Sequence, residues 1–423
     1  MVKKNVAPKV IIATVIFLMI LGVASFLIFT KDFKYGVAVH PSHYDTDVEM
    51  QSLHELGVTM AREDLAWHMI EREKGVYNFE ESYGAAINRL IDNGIDPLII
   101  IDYSNELYNN CPPGQPRCWV YVPTDPEDFE LFKKAFGNYC FAAVDNYKGR
   151  AKYFEIWNEP YGFWEPRIVP DTYPSQAKQY TELAKECYKR GKEANKNAVF
   201  LAGGLGLTDT IMTQYIKIMF ENGFAEAYDI FGIHPYCNYD QTLPLEDQGR
   251  NCRPIENIQN LKSLMNKYGG KTEMWITEFG YPTEGCVFNR NNPSDGWFWC
   301  PENLTEENQA IRMKNIFKTL KGIPEVTGFF WYDYKNDGAG RPPRRNFVLP
   351  GCEEYELSEK CWPYYEHRFG LVRDDNSKKP AWYEYQKIIG KNKSPPESET
   401  ASFIDKDQGI YLAEDSWAER DQR

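Results

Sequence analysis

From Lys34 onward the chain alternates short runs of β-type residues with longer segments whose apolar positions recur every three or four residues. The runs Tyr35–His40, Val58–Arg62, Pro97–Asp102, Tyr153–Trp157, Val199–Gly203, Asp229–His234, Glu273–Glu278 and Gly328–Tyr332 predict strands. Helical spacing lies between them, as in Ala85-Ile87-Leu90-Ile91, Phe129-Phe132-Ala135-Phe136 and Ile311-Ile316-Phe317-Leu320. Leu98-Ile99-Ile100-Ile101 is continuously apolar, the pattern of a parallel strand covered on both faces. Pro254, Thr305 and Lys379-Pro380 stand where helices should begin. Eight β-to-α alternations predict one closed (β/α)8 TIM barrel of the α/β class, with enlarged loops and spanning residues 34–390. An open doubly wound sheet is the alternative. Residues 391–423 open with the polar, proline-bearing stretch KNKSPPESET and predict a tail.

The pattern breaks at the N-terminus, where residues 10–30 carry no charge. At about 1.5 Å per residue such a helix reaches roughly 30 Å, the thickness of a hydrocarbon core. Lys3, Lys4 and Lys9 in residues 1–9 form the positive flank of a cytoplasmic side. This predicts a transmembrane signal anchor, because Phe26-Leu27-Ile28-Phe29 continues the apolar run beyond the small residues Gly22-Val23-Ala24. A cleaved signal peptide is the rival. Either reading puts the remainder outside the cytoplasm, at the cell membrane or secreted, where disulfides persist.

Net charge sharpens the picture. A balance of −13 over 423 residues argues against a nucleic-acid partner, which demands clustered Lys and Arg. No Gly-x-Ser-x-Gly elbow is present. Gly203-Gly204-Leu205-Gly206 lacks the third helix-packing glycine and acidic partner of a dinucleotide fingerprint. His40 and His43 are not spaced as two ligands on one strand, so neither a metal nor another cofactor is expected.

In a barrel the chemistry sits at the C-terminal ends of the strands. Those ends carry Arg62, Asp102, Asn158-Glu159, His234 with Tyr236, Glu278 and Trp331. Two are glutamates, in YFEIWNEP and MWITEFG, and paired carboxylates are what acetal cleavage requires. Glu155 is also acidic, but it lies within its strand and reads as a buried, hydrogen-bonded barrel carboxylate.

Trp157-Asn158-Glu159-Pro160 together with Thr277-Glu278-Phe279-Gly280 resembles the clan-A retaining glycoside hydrolases, above all families 39 and 5, the xylosidase-like and cellulase-like groups. The stretch from Asp64-Leu65-Ala66-Trp67 to Phe79 resembles a loop and helix start of the same families. The resemblance implies that Glu159 is the general acid/base and Glu278 the nucleophile. It implies that Arg62 and Tyr236 hold Glu278, that His234 and Tyr236 in IHPY match the strand-six pair of those enzymes, and that Asn158 binds a sugar 2-hydroxyl. Trp331 would form the aromatic floor of the sugar subsite. Glu159 should then have the higher pKa of the two, and the carboxyl groups should lie about 5–5.5 Å apart.

His40 could bind a sugar hydroxyl, and Trp67 belongs with Trp119, Tyr161, Trp164, Trp297 and Trp299 among aromatics expected in βα loops, where rings stack on sugars. Eight of the ten cysteines fall in pairs within single loops, so short-loop closure favours Cys111–Cys118, Cys237–Cys252, Cys286–Cys300 and Cys352–Cys361. Cys140 and Cys187 are left over, to pair with each other or to stay as buried thiols. The resulting expectation is an exported, membrane-anchored retaining O-glycosidase acting on β-linkages of a poly- or oligosaccharide. A surface transglycosylase and a non-catalytic carbohydrate-binding barrel are the alternatives.

Overall fold

The computed structural model describes residues 33–40, 46–115, 117–161, 164–166, 173–206, 210–236, 254–283, 287–288, 298–299, 304–336 and 368–391. The predicted N-terminal span, the tail from residue 392, and the pairings Cys237–Cys252, Cys286–Cys300 and Cys352–Cys361 lie outside these residues. Among the described residues no helix is long and apolar enough to cross a membrane.

Eight parallel strands close a barrel. They are β1 (Lys34–Ala38), β2 (Met60–Ala66), β3 (Asp96–Asp102), β4 (Tyr153–Ile156), β5 (Val199–Gly206), β6 (Ile230–His234), β7 (Met274–Phe279) and β8 (Val326–Trp331). Each pairs with the next, and β8 pairs with β1 through Lys34↔Gly328 to Val37↔Trp331. All eight coincide with the predicted runs, and the open sheet is excluded. β2 departs most, because it runs four residues past Arg62. Arg62 therefore sits within its strand and not at the strand's end, pairing with Leu98.

Strand alternation sorts the side chains. Met60, Leu98, Leu201, Ile230, Trp275 and Phe330 form one buried cluster that fills the base of the barrel. Two inward glycines make room for its rings. A Cβ on Gly36 would come within 2.3 Å of Phe330, and one on Gly328 within 2.6 Å of Trp275. The alternate residues, such as Ile99, Ile101, Phe154, Phe200, Phe231, Ile276 and Phe329, face outward into a second, larger cluster shared with the helices.

Helix starts follow the local chemistry. The Asp125 side chain accepts from the backbone N–H groups of Glu127 and Asp128, with Pro126 in the first turn. Thr305 caps the helix Glu306–Lys321 by accepting from Asn308 N. Cys140 and Cys187 form a disulfide joining the helices Pro126–Asn146 and Tyr173–Ala194. Cys111–Cys118 forms within the loop after β3, as loop closure favoured.

Two irregularities shape the catalytic end. Between the pairs Ala202↔Phe231 and Leu205↔Ile233, β5 has two residues where β6 has one. The extra residue lies at Gly203-Gly204, both with positive φ, so this glycine run is a bulge. Between Phe329↔Ile276 and Trp331↔Phe279, β7 has two residues, Thr277 and Glu278, opposite one of β8. This second bulge brings both onto the inner side.

Candidate active site

Arg62 organises the end of the barrel. Its Nε donates to Glu155 Oε2 at 2.7 Å, one terminal nitrogen to Glu278 Oε2 at 3.1 Å, and the other to Asn158 Oδ1 at 2.8 Å. It is buried, and its carboxylate partners hold its pKa above the usual guanidinium value against the opposing effect of burial. Glu155 is fully buried and pairs with Arg62, as its position within the strand implied. A Cβ on Gly232 would come within 2.8 Å of Glu155 Oε1, so a glycine there leaves that carboxylate its space.

Glu278 is held from two sides. Oε2 accepts from Arg62, and Oε1 accepts from the Tyr236 hydroxyl at 3.2 Å. The Tyr236 ring stacks on Phe279 with centroids 5.4 Å apart, which fixes the hydroxyl's direction. Burial pushes the Glu278 carboxyl above its ordinary value, and the charge of Glu159 pushes the same way. His234, Arg62 and the Tyr236 hydrogen bond oppose both. Arg62, His234 and Tyr236 thus supply the restraint that an ionised Glu278 needs against burial.

Glu159 follows β4 through a tight left-handed turn. Trp157 and Glu159 both have positive φ, at 65° and 45°, a conformation that costs a non-glycine residue about 1–3 kcal/mol. The turn sends Trp157 outward against Phe136 and Trp164, while Asn158 and Glu159 enter the site. Glu159 Oε1 lies 2.9 Å from His234 Nδ1, and His234 Nε2 lies 3.0 Å from Thr277 Oγ1. A Thr277 hydroxyl that donates to Nε2 leaves Nδ1–H to donate to Glu159. Tyr161 also hydrogen-bonds Glu159, and its hydroxyl stays protonated because burial and that carboxylate push its pKa well up.

One oxygen each of Glu159 and Glu278, with a His234 ring nitrogen, lie within 4.8 Å of one another. The same three groups could hold a cation, although Arg62 already supplies positive charge 3.1 Å from Glu278.

Three structures show what this architecture resembles. A family 39 glycoside hydrolase from Bacteroides cellulosilyticus WH2 matches with TM-score 0.59 and 23% identity, over 84% of this chain and 64% of its own length. A monomeric β-xylosidase from Caulobacter crescentus CB15 matches with TM-score 0.53 and 15% identity, over 85% of this chain and 68% of that one. The family 1 β-glucosidase from Thermotoga maritima matches with TM-score 0.53 and 14% identity, over 86% and 99%. The chain shares the barrel fold of these glycoside hydrolases. No protein-family model and no curated protein sequence matches the chain.

The barrel thus brings Arg62, Asn158, Glu159, His234, Tyr236 and Glu278 together. It does not bring Trp331 or Trp67. Trp331 is fully buried in the outer cluster, its ring 6.4 Å from Tyr281, because Phe330 before it takes the inward position. The inward aromatic at the end of β8 is the next residue, Tyr332, which is partly exposed and lies edge-on to His40 with centroids 6.0 Å apart. Trp67 is also fully buried. Its indole N–H donates to Glu71 Oε2, and its ring lies between Tyr108 at 5.2 Å and Tyr139 at 5.7 Å. It is a packing residue, with both faces covered.

His40 stands at the rim, Nε2 3.5 Å from Asp333 Oδ2. Of the other loop aromatics, Trp164 is buried and Trp119 packs against Tyr103 and Arg117. Tyr103 reaches the site, where its hydroxyl accepts from Asn158 Nδ2 at 3.0 Å. Tyr332 and Tyr103 carried no role in the sequence reading, and strand parity past the last apolar residue is the signal that finds Tyr332.

Proposed function

We propose that the protein is an exported retaining glycoside hydrolase that cleaves β-glycosidic bonds of a poly- or oligosaccharide. The observation that carries this reading is the Glu159–Glu278 pair, with oxygens within 4.8 Å and two different sets of partners. Glu278, directed by Arg62 and Tyr236, attacks the anomeric carbon as the bond to the leaving oxygen breaks. Glu159, protonated at the start, gives its proton to that oxygen. A covalent glycosyl ester on Glu278 results. Glu159 then takes a proton from water, which attacks the same carbon and frees Glu278, so the anomeric configuration is retained.

The partners suit these roles. When the ester forms, the Glu278 negative charge disappears and Tyr236 can release its hydrogen bond. Arg62 keeps Glu155 as a counter-ion throughout. His234 and Tyr161 fix the direction of Glu159. Residues 10–30 would anchor the chain in the membrane with the barrel outside the cytoplasm.

The test is hydrolysis of aryl β-glycosides and of a glycan panel, with anomeric configuration followed by NMR and Glu278→Gln as the control. Retention with an inert variant is expected. An inverted product, or equal activity in the variant, defeats the reading.

A further inference from the structure

Beside the catalytic pair lies a second carboxyl pair that the mechanism does not use. Asp64 shares the inward face of β2 with Met60 and Arg62, and Asp102 shares that of β3 with Leu98. Their strands pair in register, Asp64↔Ile100 and Ala66↔Asp102, so the two side chains are neighbours at the catalytic end. Asp102 is fully buried, and among the described residues neither of its oxygens accepts a hydrogen bond from an N–H or O–H donor. Its contact is with the carboxyl of Asp64. Arg62 cannot neutralise them by direct contact, because its nitrogens go to Glu155, Glu278 and Asn158.

Two carboxyl groups in hydrogen-bond contact must share a proton. Burial first, then the Asp64 charge and hydrogen bond, push the Asp102 carboxyl well above the usual range, so the proton belongs to Asp102. Asp102 donates it inward to Asp64. The partly exposed Asp64 stands two residues along the strand from Arg62 at the same end of the barrel, where its carboxyl can accept from a sugar.

We propose that Asp64 binds a hydrogen-bond-donating ring substituent of the reacting sugar, with Asp102 as its positioning residue. This rests on the glycosidase reading and names what the site selects: a hydroxyl or an ammonium group, not an anionic substituent, at the position facing β2 and β3. An acceptor left unpaired in a closed site discriminates strongly against an analogue lacking the donor.

The experiment measures kcat and KM of the full-length protein on 4-nitrophenyl β-D-gluco-, galacto-, manno- and xylopyranosides. The best of these is compared with its monodeoxy and amino-deoxy analogues at ring positions other than C2. Asp64→Asn should lower kcat/KM on the parent by roughly 10- to 100-fold. On one deoxy analogue, already poor for wild type, the same substitution should change little. If the amino analogue at that position outperforms the hydroxyl, and Asp64→Asn abolishes the advantage, the group is an ammonium; the reverse order makes it a hydroxyl. Asp102→Leu should lose as much as Asp64→Asn, and Asp102→Asn, which still donates to Asp64, should recover most of that loss. Thermal unfolding of each variant separates this from misfolding.

An equal loss on every analogue, or an Asp102→Asn variant as damaged as Asp102→Leu, overturns the proposal. If wild type turns over none of the glycosides, the glycosidase reading falls by itself. Calorimetric titration with the same glycosides then still tests Asp64, through affinity lost for the parent and kept for one deoxy analogue; no selective loss overturns it.

Discussion

Arg62 and Glu278 meet at 3.1 Å, yet the same guanidinium is also bound to Glu155 and Asn158. One buried cation thus holds Glu278, the Asn158 beside Glu159 and a structural carboxylate at once. A lysine offers a point charge and cannot reproduce that three-way fork. Arg62→Lys should therefore lower kcat at least about 100-fold through misplacement of Glu278. Arg62→Met leaves two buried carboxylates without a counter-ion and should destabilise the fold by about 3–5 kcal/mol at neutral pH. Urea unfolding and aryl glycoside kinetics on the two variants separate the effects. A fully active Arg62→Lys would show that the fork is dispensable.

The pH dependence follows from Glu278. Burial raises its pKa while Arg62, His234 and the Tyr236 hydroxyl restrain the rise, and in its proposed role as nucleophile it must be ionised to attack. The acid limb of kcat/KM should therefore lie above the usual glutamate value of about 4.3. Tyr236→Phe removes a donor to the ionised form, so it should move that limb to higher pH. For stability the sign is fixed by linkage. A carboxyl whose folded-state pKa is raised binds more protons folded than unfolded, so its stabilising effect is complete below the unfolded value and is lost as pH rises through the folded one. Glu63, fully buried, is raised in this way by burial and by Asp64 and Asp333, against a backbone hydrogen bond at Asp64 and the charge of Arg62. Glu63→Gln should show a stability gain over wild type that grows from pH 4 toward neutrality, measured as Tm against pH. A gain that shrinks over that interval would reverse the assignment.

Trp331 and Tyr332 are neighbours with opposite duties. Trp331 packs outward among the helices, so Trp331→Ala should cost about 3–5 kcal/mol of stability. Tyr332 faces the site, so Tyr332→Ala should leave the melting temperature nearly unchanged and raise KM for aryl glycosides about 10-fold. The two variants measured side by side, by thermal melts and by kinetics, decide which aromatic floors the subsite.

This pair also shows how far the sequence could be read. The eight strands and both glutamates were legible, because apolar runs and the WNEP and TEFG contexts are local signals. Which way a residue points at a strand end depends on irregularities in register, and those are not local. The bulge at Thr277-Glu278 exists only relative to β8, and the positive φ at Glu159 is invisible in its side chain. Trp67 reads as a loop aromatic when the apolar run ends the strand at Arg62; the strand continues to Ala66 and carries Trp67 into the interior. Asp102 was seen at a strand end, but its neighbour Asp64 needed the β2–β3 register to appear.

Cys140 and Cys187 could not be paired from the sequence, because their proximity depends on two long helices packing side by side. In the fold they link Pro126–Asn146 to Tyr173–Ala194 across 47 residues of chain that include β4 and the turn bearing Glu159. Closing a loop of that length in the unfolded state contributes about 4 kcal/mol by the chain-entropy relation. The gap is spanned on the outer side of the barrel, away from the carboxylates. Replacing both residues with alanine should therefore lower stability by about 2–4 kcal/mol in urea, with kcat for an aryl glycoside at 25 °C nearly unchanged. Reduction of the wild type should reproduce the loss only after unfolding, since both sulfurs belong to fully buried residues. A double variant as stable as wild type would mean that the helix pair is held by packing alone. A variant that keeps its stability but loses kcat would instead tie the disulfide to the placement of Glu159.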